Sequence, residues 1–154
     1  MAGKAARKKH LRELHAAMID LFALMSRPQR DDTLIREAGI SLDRALFPLL
    51  VGIERYGPIG VVDLADGVGR DHTTVSRQVV KLERLGLIRR RPGSSDRRIN
   101  EAIITDQGQR LTRALDAARV RLAAPILANW TEQDFSELVR MLRRFVDDLR
   151  KTPA

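Results

Sequence analysis

The segment from Asp71 to residue 104 restricts the fold of this 154-residue chain more than any other. Val75, Val79, Leu82 and Leu85 recur at steps of three and four, which in a right-handed helix lines up one edge. Asp71 stands where such a helix needs an N-cap, and Gly86 where it needs a residue at ease in the left-handed conformation at C′. Residues 87–91 and 99–104 follow as strand-like runs around Pro92-Gly93-Ser94-Ser95-Asp96, which predicts a hairpin with a long tip. Upstream, Val61, Leu64, Ala65 and Val68 predict a short helix interrupted by the Gly67-Val68-Gly69 turn. Short helix, glycine-containing turn, second helix and hairpin, in that order, form a winged helix-turn-helix pattern.

The flanks are helical by period. Leu11, Leu14, Met18, Leu21, Phe22 and Met25 predict a helix over about residues 6–27 that Pro28 closes, and residues 29–37 read as a polar stretch with room for a short helical turn. Leu42, Ala45, Leu46, Leu49, Leu50 and Ile53 predict another helix up to Tyr56-Gly57-Pro58, with Pro48 requiring a kink or a late start. Leu111, Leu115, Ala118, Leu122 and Ile126 predict a helix from Thr105 or Asp106 that Pro125 bends or ends. A last helix begins at Thr131, answered by Asp134 as a capping box, and carries Phe135, Leu138, Leu142, Phe145 and Leu149. The expected fold is mainly α with a small β-hairpin wing: a winged helix-turn-helix core over residues 40–105, and a helical dimerisation region over residues 1–30 and 106–154. The first and last two helices have too little chain of their own to cover their apolar faces, which points to a homodimer through Leu11, Leu14, Leu138, Leu142, Phe145 and Leu149.

Charge singles out the same central segment. Lys and Arg number 28 against 20 Asp and Glu, for a formal +8. Nine of the basic residues fall within residues 70–100 beside three acidic ones, and five more fall in residues 1–12 beside none. The remainder carries 14 basic and 17 acidic residues, so the excess is local, as a polyanion-binding surface requires. A basic chain end is ordinarily a solvated or frayed helix start, and the N-terminal run is read so.

On a wheel of 100° per residue with Val75 at zero, Thr73, Arg77 and Arg84 fall within about 20° of the opposite pole, and Thr74 and Lys81 flank them. An amphipathic helix always has a polar face, so this alone leaves solvated charge and DNA contact evenly weighed. The hairpin tip shifts the balance. Arg97 and Arg98 beside Asp96 sit on an extended loop that packing does not call for, and a minor groove favours arginine. Asp96 is expected to pair with one of the two arginines and leave the other free. Thr73, Thr74, Arg77 and Lys81 are the expected major-groove contacts, with Ser76, Gln78 and Arg84 as second choices and Arg97 or Arg98 in the minor groove.

Tyr56-Gly57-Pro58, Val62-Asp63-Leu64-Ala65, the run from Gly69 through Asp71-His72-Thr73-Thr74-Val75-Ser76 to Arg77, the run from Leu82 to Arg89, Asp96-Arg97-Arg98 and Ile104-Thr105-Asp106-Gln107-Gly108 together resemble the MarR family of winged-helix regulators. The resemblance spans roughly residues 45–110 with the motifs in order. It implies a dimer interlocked through the first and last two helices, recognition helices in successive major grooves of a near-palindromic site, wings in the minor groove, and release by a small molecule. Gln78 stands where relatives are usually apolar, and Val80 where they are usually charged or polar.

Other chemistries have few candidates. The absence of cysteine excludes disulfides, thiolate metal sites and thiol nucleophiles. His10 and His15 are five apart rather than three or four, which argues against zinc, and His72 reads as a surface residue at a helix start. Asn129-Trp130-Thr131 matches a glycosylation acceptor, but Thr131 already serves as a cap. No phosphate-binding glycine loop or nucleophile elbow is present, so no enzyme activity and no cofactor are expected. Residues 16–25 contain Asp20 and lack a cleavage motif, failing both as signal peptide and as membrane span, so a cytoplasmic location is expected. The reading is a homodimeric, sequence-specific repressor on double-stranded DNA with an inverted-repeat operator. Its rival is an architectural protein that coats or bends DNA without reading it.

Overall fold

Seven helices and three short strands make up residues 2–152, the part that the computed structural model describes, with side chains described from Lys4. In chain order they are α1 (Ala2–Met25), α2 (Pro28–Glu37), α3 (Phe47–Tyr56), β1 (Ile59–Gly60), α4 (Val61–Val68), α5 (His72–Arg84), β2 (Ile88–Pro92), β3 (Asn100–Ile104), α6 (Asp106–Leu127) and α7 (Glu132–Lys151). The architecture is the expected one, helical with a hairpin wing. It divides into two units, residues 1–117 and 118–154.

Several boundaries differ from the sequence reading. Pro28 does not simply close a helix; it opens α2 as its first residue, where the missing N–H costs nothing and the fixed φ suits the turn. The polar stretch after it is therefore a full ten-residue helix, anchored by the single buried side chain of Leu34. Pro48 acts as a late start: it lies in the first turn of α3, after the Leu46 amide has turned back onto the Asp43 carbonyl at 2.9 Å. Pro125 lies inside α6, two residues from its end, so it terminates the helix within a turn. β1 was not foreseen. Two residues are too short for a period, yet Ile59 and Gly60 pair with Ala102 and Glu101 and give the sheet the order β1-β3-β2.

One core holds the first unit together. Leu46, Leu49, Leu50 and Ile53 from the α3 segment meet Leu64 and Ala65 of α4, Val75, Val79 and Leu82 of α5, and Leu87, Ile88 and Ala102 at the root of the hairpin. Truncating a fully buried leucine here, such as Leu82→Ala, costs about 2–5 kcal/mol through lost transfer energy and the cavity left behind. Leu111 of α6 packs against the same core, so this helix begins within the first unit. Its start is tied down by Thr105, whose hydroxyl donates to the Gly86 carbonyl at 2.7 Å and accepts the Gly108 amide at 3.1 Å.

In the second unit, α7 is introduced by the expected capping box. The Thr131 hydroxyl accepts the Asp134 amide at 3.1 Å, and the Asp134 carboxylate accepts the Thr131 amide at 3.3 Å. None of its side chains is fully buried.

Candidate nucleic-acid interface

The orientation of α5 follows from what it buries. Val75, Val79 and Leu82 lose all solvent exposure, which forces Thr73, Ser76, Arg77 and Arg84 outward into solvent. Arg77 and Arg84 make no ion pair among the described residues, so their guanidinium groups keep all donors for an incoming acceptor. The helix start is fixed by Asp71, whose carboxylate accepts the Thr74 amide at 2.8 Å. Bonding from the Thr74 side chain and amide holds that carboxyl below the usual carboxylate range. Thr74 is half-buried and committed to this cap, in contrast to the exposed Thr73. At the other end, Gly86 takes φ 73° and completes a Schellman turn, with its amide on the Glu83 carbonyl at 2.9 Å and the Leu87 amide on the Leu82 carbonyl at 3.1 Å. A side chain at Gly86 would strain that backbone.

One flank of α5 is tied to the loop that precedes α3. The Lys81 ammonium donates to Asp43 at 3.1 Å, and Arg70 bridges the Ala45 carbonyl at 2.7 Å and the Gln78 side-chain oxygen at 3.3 Å. This accounts for Gln78 at a position where an apolar residue is expected: half-buried, it is satisfied by Arg70. Asp43 and Arg70 were not foreseen as parts of the site, since pairings across 38 residues, for Asp43 with Lys81, and 25, for Arg70 with Ala45, leave no local pattern to read.

The wing is braced at both ends. At its root, Arg90 on β2 places Nε and Nη2 at 2.9 and 2.8 Å from one oxygen of Glu83 on α5, joining hairpin and helix. At its tip, the Gly93 amide donates to the Ile99 carbonyl at 2.7 Å, and a Cβ at Gly93 would lie 2.6 Å from the Asp96 carbonyl, so the tip closes only around glycine. Asp96 grips Arg98 through Nε at 3.1 Å and Nη2 at 3.0 Å, which lowers the carboxyl pKa and raises that of the guanidinium. Arg97 makes no ion pair among the described residues. The single pairing expected at the tip is thus with Arg98.

Elsewhere, His72 touches Asp66 at 3.0 Å, and no group of three or more metal-binding side chains occurs among the described residues. No helix among them is long and apolar enough to cross a membrane.

Residues 42–99 match the model of the MarR family. The uncharacterized HTH-type transcriptional regulator YxaD of Bacillus subtilis (strain 168) is 34% identical over 111 residues, which cover 70% of this chain and 78% of that protein. The chain belongs to the MarR family. As a MarR family member it is a DNA-binding transcriptional regulator and not an enzyme. Solved structures agree on the fold. A MarR family protein from Bacillus stearothermophilus, 18% identical, has a TM-score of 0.74 over 93% of this chain and 97% of its own. The transcriptional regulator BldR from Sulfolobus solfataricus, 23% identical, has a TM-score of 0.68 over 90% and 96%. The MarR match covers α3 through the wing tip, which includes every exposed cation of α5 and the wing arginines.

Proposed function

We propose that this MarR family protein is a homodimeric, sequence-specific repressor that reads an inverted-repeat operator. The observation that carries the reading is the outer face of α5, where Thr73, Ser76, Arg77 and Arg84 stand exposed on a helix fixed by its cap, its buried edge and its terminal turn. In this reading Arg77 pairs with base-edge acceptors, Thr73 and Lys81 add base contacts, and Thr74 supports the helix start. Ser76, Gln78 and Arg84 act as outer contacts, chiefly to phosphate. Arg98, oriented by Asp96, enters the minor groove, and Arg97 holds the adjacent phosphates.

Dimerisation is supported by apolar side chains left open in the single chain. Leu11 and Phe22 on α1 are 65% and 74% exposed, and Leu138, Leu142 and Leu149 on α7 are all exposed, with Phe145 half-buried. Covering such faces with a second copy gives a two-fold axis and two recognition helices, which calls for half-sites about 34 Å apart. A dimer seated on an operator near a promoter excludes polymerase, hence repression. Release by a small molecule belongs to the proposal on the strength of the family resemblance alone, with no cofactor required.

Selection from a random duplex pool tests the reading. An enriched inverted repeat with half-sites one helical turn apart is the expected result, whereas a pool recovered without enrichment favours the architectural alternative.

A further inference from the structure

Lys81 and Asp43 form an ion pair at 3.1 Å between the recognition helix and the loop before α3, and both side chains are about half exposed, at 57% and 49%. An exposed pair of this kind contributes little to stability, so the fold gives no strong reason for a carboxylate beside the DNA-facing row. The local structure does use one oxygen: Asp43 Oδ1 accepts the Ala45 amide at 2.9 Å in an Asx turn, while Oδ2 is the atom that takes Lys81. The two roles fall on different oxygens of one side chain. Bonding to the Ala45 amide, and then to Lys81, holds the carboxyl below the usual range, so it stays charged at neutral pH.

We propose that Asp43 is a specificity-determining residue of the DNA interface, which withholds Lys81 from phosphates and so lowers affinity for duplexes that lack the operator. The inference rests on the reading of α5 as the DNA-facing helix. A lysine already paired brings no net charge to the polyanion and releases no counterion unless the pair breaks. On a duplex without the operator, the only reward for breaking it is a phosphate contact that any sequence offers. On the operator, the ammonium still has two donors beyond the one given to Asp43, enough for guanine N7 and O6 without leaving the carboxylate. The pair therefore penalises non-specific binding more than specific binding. Arg70, anchored on the carbonyl of Ala45 two residues on, keeps this loop against α5 when the Asp43 charge is changed.

Asp43→Asn retains the acceptor for the Ala45 amide and removes the charge, so the turn survives. The experiment measures affinity of the full chain for a selected operator and for a scrambled duplex from 50 to 200 mM salt, in wild type, D43N, K81Q and the double variant. Expected for D43N is a scrambled-duplex salt slope steeper by about one per recognition helix engaged, which is about a threefold larger loss of affinity across that range per contact, and a reduced operator-to-scrambled ratio. In the K81Q background D43N should change neither. Three outcomes overturn the inference. If D43N leaves slope and ratio unchanged while K81Q weakens operator binding, Asp43 serves the turn alone and the DNA-facing reading of α5 stands. If D43N acts equally with and without Lys81, the carboxylate repels phosphate directly and restrains nothing. If K81Q itself has no effect on either duplex, Lys81 lies outside the interface and its place in the reading of α5 falls as well.

Discussion

Asp96 holds Arg98 in a two-pronged grip, through Nε and Nη2 at 3.1 and 3.0 Å, while the arginine side chain remains 91% exposed. An arginine fixed in this way has surrendered rotamer freedom before DNA arrives, and it still presents donors to solvent. Replacing Arg97 and Arg98 together with Ala is expected to weaken binding and reduce the salt slope by about one unit, the share of the unpaired Arg97. Of the single changes, Arg98→Ala should lose more operator affinity than Arg97→Ala, and Asp96→Ala should weaken operator binding although it removes a negative charge. Salt titrations of the four variants check this; tighter binding by Asp96→Ala would show that the carboxylate only masks the arginine.

Arg77 projects opposite Val75 and Val79, with no ion pair among the described residues to restrain it. Arg77→Ala is expected to lower operator affinity by about 1–3 kcal/mol, to lower scrambled-duplex affinity by much less, and to leave folding stability nearly unchanged. Parallel binding and urea titrations measure both. An unaltered operator-to-scrambled ratio would remove Arg77 from the base-reading set.

The cap of α5 gives a pH signature. The Asp71 carboxyl is lowered in the folded protein by bonding from the Thr74 side chain and amide, so its contribution is full above the ordinary carboxylate pKa and is lost as pH falls through the folded value. Wild type should therefore be more stable than Asp71→Ala at pH 7, with the gap narrowing as pH falls through and below the ordinary carboxylate range. Asp71→Asn, which caps without titrating, should show a gap to Ala that stays nearly level. Urea midpoints across this range provide the check, and a wild-type advantage independent of pH would mean that charge plays no part in the cap.

What could be read from the residues divides along physical lines. The α5 boundaries and the α7 start were legible because Asp71, Gly86 and the Thr131/Asp134 pair act through backbone groups within four residues of themselves. The hairpin was legible from its turn residues, but β1 was not, since its two residues are strand only by pairing with β3. α2 was under-read because it buries little beyond Leu34, and because a proline that ends one helix and one that begins the next look alike in sequence. The exposed row of Thr73, Arg77 and Arg84 followed from the wheel. The restraint of Lys81 by Asp43 and of Gln78 by Arg70 did not, because the first depends on how the loop before α3 meets α5 and the second on how the turn before α5 folds back onto it.

Assembly is tested through α7. Leu142→Asp or Phe145→Asp puts a charge on its apolar row and should yield a folded monomer that has lost tight operator binding, as read by sedimentation at micromolar concentration, circular dichroism and a binding titration. A variant that remains dimeric would move the interface away from this face.

The central claim is that the outer face of α5 reads sequence, and the most direct measurement is the ratio of affinities for the selected inverted repeat and for the same bases scrambled, at one salt concentration near 150 mM. The account predicts a ratio of about a thousand or more, which falls toward unity when one half-site is inverted. Equal affinity for operator and scrambled duplex, with a steep salt dependence for both, would contradict it and leave a protein that binds DNA by charge alone.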